Sequence, residues 1–128
     1  MSGNSCFPRI CASLIGLVVA TPLLAFPEIA RETKTACVAC HTLGAELANR
    51  AGPSLEGIFG RRIATLPGYN FSDALKQLDI VWTPETVSRL FEIGPAAYTP
   101  GTKMPEQRIG SEQDRAALVQ FLVRATKR

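Results

Sequence analysis

Cys37-Val38-Ala39-Cys40-His41 is the stretch on which the reading of this chain turns. On one helical turn, positions 37, 40 and 41 fall on the same face. Two thiols and an imidazole at that spacing form Cys-x-x-Cys-His, the motif that attaches a c-type haem. The sulfurs of Cys37 and Cys40 can add to the two vinyl groups on one haem edge, and the imidazole of His41 then points at the iron. Thioether bonds keep such a cofactor from being lost outside the cell. Three other readings compete. A redox dithiol uses Cys-x-x-Cys at a helix start inside a strand-rich α/β pattern, and this chain shows no convincing strand. A structural zinc site needs four ligands, and two cysteines with one histidine supply three. The third reading is chance. His41 is the only histidine in the chain, so a second axial ligand is not histidine.

Outward toward the N-terminus, residues 1–25 read as a secretory signal peptide. They hold one base, Arg9, and no acid, followed by an apolar run from Ile10 to Ala25 with small residues at Ala20 and Ala25. Cleavage is expected after Ala25, with Ala20 as the second choice. The run is about 16 residues, short of the roughly 20 that span a bilayer; an uncleaved anchor is the alternative. Cys6 and Cys11 leave with this segment, and nothing before them looks like a lipoprotein cleavage box. The domain is then residues 26–128, with one close cysteine pair and no disulfide framework. Of 14 Lys and Arg, Arg9 is lost, leaving 13 against 11 Asp and Glu. A balance that mild gives no footprint for nucleic acid. With 46% hydrophobic and 20% charged residues the chain is globular, neither disordered nor collagenous.

Outward toward the C-terminus, residues 28–41 are expected as a first helix. Residues 44–70 are punctuated by Gly44, Gly52, Pro53, Gly57, Gly60, Pro67 and Gly68 and must run as loop. Ser72 can cap a short helix reaching about Leu78. Thr83 with Pro84 opens the next, whose apolar face is Val87, Leu90 and Phe91 and which Gly94-Pro95 stops. Ser111 opens the last, with Ala117, Leu118, Phe121, Leu122 and Ala125 as its stripe. Tyr98 to Gly110 is loop. The result is a small all-α domain with long loops and few aromatics. It is marginal in the surface it can bury, so it asks for a bulky apolar group that the polypeptide does not supply.

Met104 is the only methionine after the initiator. It sits in Tyr98-Thr99-Pro100-Gly101-Thr102-Lys103-Met104-Pro105, a polar, breaker-rich segment where a core filler is hard to justify. Ligation of the iron, opposite His41, is the expectation.

The chain resembles class I cytochromes c, the mitochondrial cytochrome c and bacterial cytochrome c2 type, over nearly all of residues 26–128. The resemblance is carried by Cys37 to His41, Gly52-Pro53 with Leu55, Gly57 and Phe59-Gly60-Arg61, Pro67-Gly68-Tyr69, Trp82, Pro95, Tyr98 to Met104, and the closing helix with Leu118, Phe121 and Leu122. It implies the small cytochrome c fold, three to five short helices and long loops wrapped around one covalently bound haem c. It implies that the Pro53 carbonyl accepts a hydrogen bond from His41, and that Arg61, Trp82 and Thr102 contact a buried haem propionate. The departures are equally specific. Ile29 and Thr33 stand where relatives place a glycine and an aromatic, which puts the packing of first and last helices at issue. Phe71 replaces a propionate-binding tyrosine, Leu75 a polar residue, and Glu106 an apolar residue after the methionine. The register slips by one near Leu90 and Phe91. Ala36, Ala96 and Ala97 take the places of docking lysines. Lys103 and Arg50 remain, either for docking or simply solvated.

The implied function is a soluble periplasmic electron carrier, not an enzyme. It is expected to be a monomer that moves single electrons between redox partner proteins, with no nucleic acid partner and no stable membrane insertion unless the signal stays uncleaved. The main alternative is a dedicated cytochrome subunit of a periplasmic dehydrogenase or oxidase. A second is an enzyme or sensor in which Met104 leaves the iron, and a third is the haem-free dithiol enzyme.

Overall fold

A computed structural model of the chain describes residues 28–45 and 48–127. The expected signal peptide lies outside the described residues. Among the described residues five helices follow in order: α1 (Glu28–Cys40), α2 (Asp73–Lys76), α3 (Pro84–Ile93), α4 (Pro95–Tyr98) and α5 (Glu112–Ala125). None is long and apolar enough to cross a membrane. Among the described residues there is no strand, only an isolated antiparallel bridge between Arg62 and Val81.

The helix starts lie where the local chemistry requires them. Ser72 accepts from the amide of Leu75, and Ser111 from that of Asp114, each satisfying an orphan donor of the first turn. At α3, Thr83 and Thr86 cap each other: each hydroxyl takes the other's backbone N–H, with Pro84 at the first helical position. α2 is shorter than expected. Beyond Lys76 the chain tightens into three-residue bonds, Gln77 N to Ala74 O and Leu78 N to Leu75 O, the usual way a short helix closes. α4 was not expected. Gly94-Pro95 stops α3, but the same proline has the fixed φ of a helix start, so one more turn forms, with Tyr98 N on Gly94 O and Thr99 N on Pro95 O.

The core joins α3 and α5. Val87, Leu90 and Phe91 pack with Leu118, Val119 and Leu122, and Ile109 completes the cluster. Both residues at the register slip, Leu90 and Phe91, are therefore inside. Within the expected stripe of α5, Leu118 and Leu122 are buried while Ala117, Phe121 and Ala125 are half-buried. α1 packs on α5 despite its departures from the family. Thr33 is buried, and the ammonium of Lys34 lies 4.8 Å from the ring centre of Phe121. The end of α5 is tied to the long loop by Gly57 N on Thr126 O at 2.6 Å. Paired backbone bonds around the bridge, such as Ile63 N on Ile80 O at 2.8 Å, close the segment from Gly60 to Trp82 into a compact lobe. Between that lobe, the end of α1 and the loop after α4 lies a cavity.

Candidate functional site

The cavity has a volume of about 310 Å³, inside the ~300–1,000 Å³ range typical of ligand pockets. Cys37, Cys40 and His41 enter its wall from the end of α1, and Met104 enters from the loop between α4 and α5. The four residues singled out in the sequence are thus brought to one place. Leu55, Phe59, Trp82 and Met104 border it and are only half-buried by the polypeptide, so an apolar group seated there would complete their burial.

His41 is held from two sides. Its amide continues the helical ladder to Cys37 O at 2.8 Å. Its ring Nδ1 donates to the Pro53 carbonyl at 2.7 Å; a carbonyl only accepts, so Nδ1 carries the proton and Nε2 the lone pair. Burial lowers the ring's pKa, opposed by the bond to Pro53, so at neutral pH the imidazole is neutral, the form that ligates a metal. Behind the ring lies Gly52, buried, with its amide on Cys40 O at 2.8 Å. A Cβ built on it would come within 2.6 Å of Nδ1 and 2.9 Å of Nε2. The sequence shows Gly52-Pro53 as a family pair, but not that the glycine leaves room for the ring.

Cys37 and Cys40 are both free thiols. Burial pushes Cys37 up to about 11, with repulsion from Cys40 adding to it. A catalytic dithiol needs the opposite shift, which argues against the redox-enzyme reading. Among the described residues there is no group of three or more His, Cys, Asp or Glu placed to hold a bare metal ion. An apolar cradle with two thiols on one edge, a neutral imidazole and a thioether fits an iron porphyrin bound through two sulfurs.

Arg61, Trp82 and Thr102 also line the cavity. The Arg61 guanidinium donates to Glu56 O and Ser54 O, both at 3.0 Å. The Thr102 hydroxyl accepts from the amide of Met104 at 3.1 Å and so shapes the methionine's turn. Tyr69 and Phe71 meet edge-on at 4.7 Å, and the Tyr69 hydroxyl donates to Ala51 O at 2.8 Å, bracing the loop that holds Gly52. Arg50 donates to Val38 O at 2.9 Å, pinning this loop to the end of α1, whereas Lys103 stays exposed.

A cytochrome c family model matches residues 29–126. Cytochrome c of Cochliobolus lunatus is 43% identical over 94 residues, which cover 73% of this chain and 86% of that protein. Cytochrome c of Arabidopsis thaliana is likewise 43% identical over 94 residues, covering 73% and 83%. That of Stellaria longipes is 40% identical over 94 residues, covering 73% and 86%. The chain belongs to the cytochrome c family, electron carriers with one covalently attached haem.

Proposed function

We propose that this chain is a soluble periplasmic carrier that moves single electrons between redox partner proteins through a His/Met-ligated haem c. When bound, the haem iron supplies one-electron chemistry between its ferrous and ferric states. Cys37 and Cys40 would hold the group through thioether bonds, each thiol adding across a vinyl group. His41, through Nε2, and Met104, through its sulfur, would hold the iron from the cavity wall. The Pro53 carbonyl fixes the imidazole plane and strengthens it as a ligand. A thioether ligand favours the reduced state and raises the potential. Arg61, Trp82 and Thr102 serve a propionate that would be costly to bury without partners. The observation that carries the reading is that Met104 lines the same cavity as an imidazole whose Nδ1 is already committed to Pro53. The export signal read at residues 1–25 supports the location.

The test is Met104→Ala, produced beside the parent protein in a host that exports and loads it. The variant keeps its covalent haem, loses the methionine–iron charge-transfer absorption, falls in potential and binds added imidazole. An unchanged spectrum and potential would sink the assignment, and recovery of both proteins in the membrane fraction would sink the location. A second reading, a subunit held in a stable complex, is favoured by Ala36, Ala96 and Ala97, which expose small apolar side chains where relatives carry docking lysines. In that case both proteins elute on gel filtration of native extract with a larger partner.

A further inference from the structure

α4 has a defect at its start. Pro95, its first residue, has no N–H, and Gly94 before it has no side chain with which to cap. The first amide in need of an acceptor is that of Ala96, and a helix start leaves such donors orphaned unless something reaches them. Glu106 reaches it: its carboxylate accepts from Ala96 N at 3.3 Å. The carboxylate lies directly over Gly94, where an added Cβ would collide with Oε1 and stand 2.8 Å from Cδ. Gly94 also has a φ of 95°, so the residue that cannot cap the helix is also the one that leaves room for this side chain.

Glu106 is two residues beyond Met104. On the other side of Met104 the loop is fastened by Ser72, whose hydroxyl donates to Gly101 O at 3.0 Å, and by Thr99, bonded twice to Pro95 O. Downstream it is fastened at Ile109, whose amide meets Phe91 O at 2.7 Å. Pro105 offers no N–H, so Glu106 is the nearest anchor between the methionine and that distant tie.

We propose that Glu106 is a latch that closes the Met104 loop onto the α3–α4 corner and thereby sets how often Met104 leaves the iron. The proposal rests on Met104 being the axial ligand. Glu106 is a positioning residue, acting through the loop. An outside ligand binds only molecules in which the loop has opened, so its apparent affinity scales with the open fraction. Losing a single hydrogen bond of ordinary net worth raises that fraction about three- to tenfold.

The test is imidazole titration of the ferric holoprotein, followed by loss of the methionine–iron charge-transfer absorption, in the parent, Glu106→Ala and Glu106→Gln. Glu106→Ala is expected to bind imidazole about three- to tenfold more tightly. Glu106→Gln keeps a carbonyl acceptor for Ala96 and stays within about twofold of the parent. That rescue separates a latch from a general loss of stability, which denaturant midpoints measured on the same samples report independently. Glu106→Ala binding like the parent overturns the latch, as does a glutamine variant as open as the alanine one. A parent protein without the charge-transfer absorption overturns the ligation of Met104 first, and the latch with it.

Discussion

Substituting Gly52 by alanine tests whether the space behind His41 is a requirement or an accident. A Cβ at this position stands 2.6 Å from Nδ1, about 0.8 Å inside the 3.4 Å of ordinary contact, with Cε1 closer still. Nothing nearby yields easily. The ring is tied to Pro53 O at 2.7 Å, and Pro53 is the next residue in the chain. The Gly52 amide is bonded to Cys40 O, and its carbonyl accepts from Arg50 N at 3.0 Å. Overpacking of this kind costs about 1–3 kcal/mol, and the entropy an alanine removes from the unfolded chain returns only about 0.4–1 kcal/mol. The net loss of about 0.6–2 kcal/mol lowers the melting temperature of a domain this size by roughly 2–16 °C. Because the strain falls on the imidazole, the Soret spectrum moves as well. Gly110→Ala is the control: its Cβ meets nothing within 4 Å and its φ is not positive, so it melts with the parent or slightly above it. Thermal melts of the three holoproteins, followed at the Soret band, decide the matter. Gly52→Ala melting and absorbing like Gly110→Ala would refute the steric argument.

Two further predictions concern the scaffold. Leu118 is 1% exposed at the centre of the α3–α5 contact, and Leu118→Ala should cost about 2–5 kcal/mol in denaturant unfolding of the holoprotein. Thr83→Ala removes the acceptor of Thr86 N at 3.2 Å but leaves the reciprocal bond from Thr83 N to the Thr86 hydroxyl at 2.7 Å. A loss of about 1 kcal/mol, at the ordinary size for a cap, is expected in the same assay.

The parts of this protein that were legible in the sequence are those governed by neighbours. Cys37 to His41 is a motif because one helical turn suffices to gather it. Ser72, Thr83-Pro84 and Ser111 announce helix starts because a cap bonds three residues ahead. Met104 stood out because it is isolated in a polar loop. The parts that were not legible depend on distant chain. Gly94-Pro95 carries a stop and a start signal at once, and α4 forms because the second also operates. The side chain that caps it comes from Glu106, ten residues on, and within the sequence that residue is only a departure from the family. Arg115, a charged residue of the last helix, is buried, with its guanidinium donating to Ile109 O at 2.7 Å and Gly110 O at 2.9 Å. No local pattern encodes that, because the acceptors are loop carbonyls left over once Ile109 has docked on Phe91.

His41 and Met104, the residues proposed to hold the iron, are fixed by different physics, and on that proposal this decides which side of the site exchanges. His41 extends the last turn of α1; its ring is bonded to Pro53, backed by Gly52, and preceded by Cys37 and Cys40, the proposed attachment residues. Moving it means dismantling the end of α1 together with the loop that Arg50 and Tyr69 brace. Met104 is fixed at a distance, by a threonine hydroxyl two residues before it and by side-chain bonds at Gly101 and Ala96 that lie at the surface. Each such bond contributes about 1 kcal/mol net, and local opening follows the least stable set of contacts. On the proposed ligation, opening would therefore fall on the Met104 side, and the surface side chains of Ser72 and Glu106 would hold that side closed.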